Sequence, residues 1–112
     1  MDRLESIVRK RVRDTLLLDT YGSLLTEKQR LACEYTWYED MSLAETAQSL
    51  NVSRQAVHDL ITKARENMEE YDAKLSLIAQ QQKLATASKL FQAQKGNLPA
   101  EFCEALEKLF ED

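Results

Sequence analysis

The sequence predicts an all-α protein: a helix-turn-helix without a β wing, then a long C-terminal helix and a short amphipathic terminal helix. Three observations predict this class. The 112 residues include only two glycines and one proline, and no alternating run typical of a strand interrupts them. Residues 43–62 have helix-turn-helix spacing, and residues 53–95 contain neither glycine nor proline. We expect one domain over 1–112, with a helix-turn-helix core at 14–71 and a helical extension at 72–112 that serves as a dimerisation element.

The helix-turn-helix prediction depends on a few small and polar residues. Ala47 is small enough for two helices to cross closely, and Asn51 tolerates the positive φ of the turn. Ser42 and Glu45 form a predicted capping box, and Ser53 is the predicted N-cap of the second helix. The alternative is a plain helical hairpin. The residues expected beneath the turn and along the second helix are apolar: Leu50, Val52, Val57, Leu60 and Ile61.

Two further helices are predicted upstream. A capping box formed by Thr26 and Gln29 begins one helix, which ends at Glu39 and Asp40. A shorter helix over residues 14–21 precedes it, with Gly22 as its C-cap. In the longer helix Leu31, Tyr35 and Tyr38 share the helical period, which predicts that they are buried. Trp37 points elsewhere and is either core or an interface anchor.

The charge distribution argues against a simple nucleic-acid binder. The net charge of the chain is −4, and residues 26–71 carry five cations against nine acids. Nucleic-acid binding draws much of its affinity from cations that neutralise phosphates. Residues 1–13 differ, with five cations against two acids. Their Arg9-Lys10-Arg11 run either contacts an RNA or DNA backbone or is simply solvated.

The early residues of the second helix would face DNA in a helix-turn-helix. Arg54 has the donors to pair with guanine, and Gln55 those to pair with adenine. Asp59 would repel phosphates, although a carboxylate can accept from cytosine. The alternative is a solvated helix face, on which the sole histidine is a surface residue. The candidate nucleic-acid-binding residues are Ser53, Arg54, Gln55, His58, Asp59 and Lys63.

Three separated motifs resemble the YlxM family of small bacterial proteins. They are residues 21–30 (YGSLLTEKQR), 40–45 (DMSLAE) and 51–57 (NVSRQAV), and the likeness covers about residues 14–80. The resemblance implies a scaffold similar to region 4 of sigma factors. It also implies a role in the signal recognition particle pathway, because the family's genes usually neighbour those of the pathway's GTPases. Ala56, His58 and Asp59 replace positions usually polar or basic in promoter readers, which weakens the expectation of promoter recognition.

An apolar seam runs along the predicted long helix at spacings of four and three. If unbroken from Ser53 to Lys95, this helix would span roughly 65 Å; a kink or break is expected near residues 80–83. We expect a homodimer that uses this helix, and the alternative is packing against the chain's own N-terminal helices. The seam residues are Val57, Ile61, Ala64, Met68, Tyr71, Leu75 and Ile78.

A terminal amphipathic helix is predicted after Gly96 and Asn97, with Pro99 at its first position. It has to dock on the long helix, a partner subunit or a basic protein, whereas its acids disfavour a membrane surface. The apolar face is expected to consist of Phe102, Leu106, Leu109 and Phe110.

The sequence shows no phosphate loop, metal-ligand spacing or nucleophile beside a base, so we expect no catalytic, cofactor-binding or metal residues. Cytoplasmic location is expected, with Cys33 and Cys103 as reduced thiols. The leading hypothesis is a non-enzymatic regulatory or interaction protein of the signal recognition particle pathway. The alternative is a dimeric DNA-binding transcriptional regulator that reads DNA with the helix starting at Ser53. The candidate partners are a second copy, a pathway protein or RNA, and DNA, with no membrane and no small-molecule substrate.

Overall fold

The computed structural model describes residues 2–111, within which six α-helices are joined by short turns and no strand occurs. The predicted all-α class is confirmed. No helix in this part of the chain has the length and apolar content needed to cross a membrane. Short 3-10 helices follow α1 and α5, and a π-helical turn at Glu34–Tyr38 follows α2. The helices are α1 Arg3–Tyr21, α2 Glu27–Cys33, α3 Leu43–Leu50, α4 Arg54–Leu75, α5 Leu77–Gln94 and α6 Ala100–Phe110.

The described residues divide into two compact units, 2–78 and 79–111. In the first unit, helices α1, α2 and α3 pack around the central α4. Burial of their apolar side chains removes surface from water and supplies the main driving force for this packing. The core of this unit contains Leu17, Leu18, Tyr21, Ala32, Cys33, Trp37, Ala47, Val57, Ile61, Ala64, Met68 and Ile78.

Helix α1 is longer than predicted. It begins at Arg3, and the side chain of Asp2 caps it by accepting a hydrogen bond from the backbone N–H of Leu4 at 3.3 Å. Residues 2–12 are all exposed, so no buried face marked this part of the helix in the sequence pattern. Gly22 does follow the helix as its C-cap, but with right-handed angles (φ −55°, ψ −35°) that lead into a 3-10 turn.

The π-helical turn after α2 reverses the predicted roles of the aromatic residues. A π turn adds a residue to the helical repeat and so rotates the side chains that follow it. Trp37 is 8% exposed and belongs to the core, whereas Tyr38 is 47% exposed. The prediction that Tyr38 is buried is therefore wrong, and Tyr35 is only half-buried. The phenolic hydroxyl of Tyr38 instead donates a hydrogen bond to the carboxylate of Asp19.

The long helix is not continuous. Ser76 has left-handed angles (φ 53°, ψ 33°) and separates α4 from α5. A break in the long helix was expected near residues 80–83; it is present, but it lies earlier, at Ser76. Its cause is tertiary: Tyr21 and Asp72 accept hydrogen bonds from the first backbone N–H groups of α5, at Leu77 and Ile78.

The apolar seam of α4 is buried mainly by the chain itself. Val57, Ala64 and Met68 are fully buried against the other helices of the first unit, and Ile78 is also buried there. Leu75, which the seam predicts to be buried, is 49% exposed. Most seam residues thus pack against helices of their own chain, which was the alternative expectation. The homodimer stays a prediction.

The second unit is a helical hairpin formed by the later part of α5 and by α6. The rings of Phe91 and Phe110 stack with centroids 6.2 Å apart, and Lys95 forms an ion pair with Glu107. Pro99 precedes α6 as its N-cap residue instead of occupying its first position. The predicted apolar face of α6 is partly wrong, because Phe102 and Leu109 are exposed. The inward face consists of Cys103, which is buried, with Leu106 and Phe110 half-buried.

Candidate nucleic-acid interface

The first helix of the motif, α3, begins at the predicted capping box. The hydroxyl of Ser42 accepts a hydrogen bond from the backbone N–H of Glu45 at 3.1 Å. The Glu45 carboxylate accepts one in return from the backbone N–H of Ser42 at 3.0 Å. These bonds favour the ionised carboxylate and lower the pKa of Glu45. Two N–H groups that lack partners inside the helix are thereby satisfied.

The turn between α3 and α4 has the geometry that the sequence predicts. Asn51 has left-handed angles (φ 57°, ψ 47°). Its N–H donates to the carbonyl of Gln48 at 3.3 Å, and the N–H of Val52 donates to that of Ala47 at 3.0 Å. This pair of bonds is the Schellman motif. Ser53 then caps α4 by accepting from the N–H of Ala56 at 3.0 Å, so the helix-turn-helix is confirmed.

The candidate binding residues are all exposed along the first three turns of α4, but not all of them are free. The side-chain amide of Gln55 donates a hydrogen bond to a carboxylate oxygen of Asp59 at 2.9 Å. Nδ1 of His58 lies 3.8 Å from the same carboxylate oxygen. Pairing with adenine needs the amide donor of Gln55. In this arrangement that donor is directed at an acid of its own helix.

Arg54 and Lys63 are the arginine and the lysine among the candidate residues. Both are exposed, and neither forms an ion pair with any residue of 2–111. A shallow open cleft of about 410 Å³ is lined by Leu43, Arg54, Gln55 and His58. The cleft offers one apolar and three polar side chains beside the turn, and one of those side chains is cationic.

The rest of the motif adds little positive charge. Arg30 pairs with Glu34 at 2.9 Å, and Arg65 pairs with Asp14 at 2.9 Å. Both guanidinium groups are therefore neutralised within the fold. Within the described chain, three of the five cations in residues 26–71 form no ion pair, and five of the nine acids pair with no arginine or lysine. The unpaired charge of residues 26–71 is therefore still negative on balance, which disfavours the approach of a polyanion.

The basic N-terminal segment is partly engaged by the fold as well. Arg11 lies 3.3 Å from a carboxylate oxygen of Asp40. Arg13 donates to Glu69 at 2.6 Å and to Asp72 at 3.0 Å. The hydrogen bond with Glu69, followed by that with Asp72, raises the pKa of Arg13. Arg9 and Lys10 are exposed and form no ion pair within residues 2–111.

One polar cluster of the core was missed from the sequence. Asp14 is 4% exposed and accepts two hydrogen bonds from Arg65, at 2.9 and 3.0 Å. The Arg65 guanidinium lies over the Trp37 ring, 5.3 Å from its centroid. The signal in the sequence was the helical spacing of Asp14 with Leu17, Leu18 and Tyr21, which places an acid on an inward face.

Neither cysteine is part of a metal or redox site in the described chain. Cys33 and Cys103 are both free and buried. Burial raises the pKa of the Cys33 thiol to about 12, which keeps it protonated and unreactive at neutral pH. Within residues 2–111 no three His, Cys, Asp or Glu side chains lie close enough to hold a metal ion.

The fold and the motif agree with a known family. The family model UPF0122, which describes YlxM/p13-like helix-turn-helix proteins, matches residues 8–108. The chain belongs to this family. The predicted resemblance is therefore confirmed, and the match extends over α6 as well as the motif. The description of the family names the helix-turn-helix and states no activity.

Individual YlxM/p13-like relatives align with parts of the chain. The UPF0122 protein of Desulforamulus reducens is 48% identical over 64 residues, 57% of this chain and 55% of the relative. That of Clostridium kluyveri is 40% identical over 77 residues, 69% of each chain. That of Halalkalibacterium halodurans is 47% identical over 74 residues, 66% of this chain and 68% of the relative. The chain thus spans little more than half of the first relative's length, and none of these names states a ligand or an activity.

Proposed function

We propose that this YlxM/p13-like chain is a cytoplasmic, non-enzymatic regulatory protein of the signal recognition particle pathway. Its ligand would be a protein or ribonucleoprotein component of that pathway, bound at the helix-turn-helix. Family membership supports the choice of pathway, through the gene neighbourhood that the resemblance implies. The observation that carries the choice of ligand is the hydrogen bond between Gln55 and Asp59 on the exposed start of α4.

This contact opposes direct reading of DNA for two reasons. Gln55 pairs with adenine through its carbonyl oxygen and one amide hydrogen, which either breaks the bond to Asp59 or brings the Asp59 carboxylate close to the phosphates. Close like charges repel, and the repulsion strengthens as water is excluded. A basic protein segment has the opposite effect, because it supplies donors to the acids around the motif. Nine acids against five cations in residues 26–71 favour such a segment.

The experiment is a binding titration in which two substitutions are expected to change the affinity in opposite ways for a protein ligand and for a nucleic acid. The chain is immobilised, and the purified pathway GTPase, its RNA and their complex are each titrated against it. For a basic protein surface, Asp59→Asn weakens binding and Arg54→Ala has little effect. For a nucleic acid the signs reverse, because Asp59 repels phosphates and Arg54 attracts them.

The matched control is Glu66→Gln, which removes one exposed negative charge farther along α4. It should change affinity less than Asp59→Asn if binding is centred on the start of the helix. No retention of the GTPase, the RNA or the complex by the unaltered chain would exclude the proposed pathway. Binding that Asp59→Asn strengthens would reject the acidic surface as the contact.

A second candidate function is that of a dimeric DNA-binding regulator, favoured by the exposed and unpaired Arg54 at the start of a well-formed second helix. Two such helices in a dimer would address two half-sites. Titration against mixed genomic DNA fragments tests it. A sequence-specific DNA-binding protein should bind at low salt, and its affinity should fall steeply as salt is added. The Arg54→Ala variant should lose sequence preference. Lack of binding even at low salt would reject this function.

A further inference from the structure

Helix α1 carries an exposed apolar stripe with basic flanks over residues 3–12. Leu4, Val8 and Val12 repeat every four residues on one helix face, and Ile7 lies beside them. They are 69%, 59%, 52% and 56% exposed, respectively. Residues 3–12 carry four cations against Glu5, a net charge of +3. Four large aliphatic side chains left in water on one helix indicate a surface that is covered by a partner.

Helix α6 carries the complementary features. Phe102 and Leu109, seven residues apart and so on the same face, are 49% and 77% exposed. Glu101 is exposed at the flank of this face, and Glu104 is exposed farther round the helix. Residues 100–111 hold four acids against Lys108, a net charge of −3. The two segments are therefore similar in length, each exposes large apolar side chains, and their net charges are opposite.

We propose that the basic apolar face of α1 in one copy of this chain docks on the acidic apolar face of α6 in a second copy. Each copy offers both helices, so two copies related by a two-fold axis would make the contact twice. Charge complementarity selects this occupant. Two α1 stripes placed together would bring eight cations against two acids, whereas α1 against α6 approaches neutrality.

This dimer would form through α1 and α6 and not through the apolar seam of α4, and it is independent of the function proposed above. Most of the seam is already buried in one chain. The α1 and α6 faces, by contrast, are exposed in the single chain and contain no residue of the helix-turn-helix. A ligand bound at the start of α4 would therefore use residues other than those of the two docking faces.

A pair of charge-reversed variants tests the contact between copies. One variant carries Arg3→Glu and Arg9→Glu, so both of its faces are acidic. The other carries Glu101→Lys and Glu104→Lys, so both of its faces are basic. In sedimentation at micromolar concentration each variant alone should be monomeric, with a dissociation constant raised at least about tenfold. A mixture of the two should form heterodimers of about twice the 12.9 kDa chain mass, because both contacts are then of opposite charge.

The matched control is Lys28→Glu with Lys63→Glu, which reverses two exposed cations outside both faces and should leave the dimer intact. Circular dichroism of every variant checks that the helices are retained. Three outcomes would overturn the proposal: an unaltered chain that is monomeric, variants that dimerise as well as the unaltered chain, or a mixture that does not associate. An apolar variant, Leu4→Ser with Val8→Ser, gives an independent readout and should also be monomeric.

Discussion

The hydroxyl group of Tyr21 donates a hydrogen bond to a carboxylate oxygen of Asp72 at 2.7 Å, which joins the end of α1 to the end of α4. The same hydroxyl accepts from the backbone N–H of Leu77 at 3.2 Å, and Asp72 accepts from that of Ile78 at 3.4 Å. The first N–H groups of a helix have no partner inside it. Tyr21, far away in the sequence, and Asp72, near the end of α4, therefore cap α5 together and stabilise the break at Ser76.

Removal of the Tyr21 hydroxyl should weaken this cap. In Tyr21→Phe the ring still fills its site, but Asp72 loses a donor and the Leu77 N–H loses its acceptor. We expect the Tm to fall by several degrees. Amide hydrogen exchange should also accelerate at Leu77 and Ile78. The control is Tyr71→Phe, since the Tyr71 ring lies beside Tyr21 (centroids 6.1 Å apart) but its hydroxyl has no hydrogen bond to the described residues. Equal effects of the two variants would contradict a capping role.

The same network should make stability depend on pH. The hydrogen bond from Tyr21, and then that from Arg13, lower the pKa of Asp72 in the folded chain. A carboxylate with a lowered folded pKa stabilises the fold above its unfolded pKa of about 3.9 and loses this effect as the pH falls through the folded value. Urea unfolding should show Asp72→Asn as less stable than the unaltered chain at pH 7. The difference should shrink below about pH 4; a difference that stays constant down to pH 2 would contradict the prediction.

Breaking the ion pair between Asp14 and Arg65 should lower the free energy of unfolding far more than breaking an exposed ion pair. Arg65→Met leaves a 4% exposed carboxylate without its two hydrogen bonds. We expect the free energy of unfolding to fall by about 3 kcal/mol. The double variant with Asp14→Leu should recover most of this loss, because it leaves no unpaired charge. Fluorescence of the sole tryptophan, Trp37, reports the change directly, since the guanidinium lies over its ring.

The control for this prediction is Arg30→Met, which breaks an ion pair between neighbouring turns of one helix at a partly exposed site. Pairs of this kind contribute about 0.3–0.5 kcal/mol. A similar loss of stability in Arg30→Met and Arg65→Met would mean that burial of Asp14 does not govern the energetics of its ion pair.

Ser76 should accept glycine better than alanine. A left-handed conformation costs an L-residue about 1–2 kcal/mol, whereas glycine adopts it freely. We expect Ser76→Gly to be more stable than Ser76→Ala by about 1 kcal/mol in urea unfolding. The opposite order would show that α4 and α5 prefer to form one continuous helix, since alanine has the higher helix propensity.

Local signals predicted the motif well because they act within four residues. The capping boxes that begin α2 and α3, the left-handed Asn51 and the N-cap at Ser53 are all present. Each involves a side chain that bonds to a backbone group in its own turn, so its geometry depends little on the rest of the fold. The candidate residues from Ser53 to Lys63 are all exposed on the first turns of α4. Even the bond between Gln55 and Asp59 follows from their spacing of four on one helix.

The tertiary structure decided what depends on residues far apart in the chain. Nothing within residues 72–80 predicts a helix end at Ser76, because its caps come partly from Tyr21, some fifty residues earlier. The burial of Trp37 and the exposure of Tyr38 depend on a π turn that shifts the helical register. The sequence by itself thus determined which helices form, where most of them begin and how the turn of the motif is made. Packing decided where the long helix ends and which charges stay free for a ligand, since both depend on which distant side chains supply the hydrogen bonds.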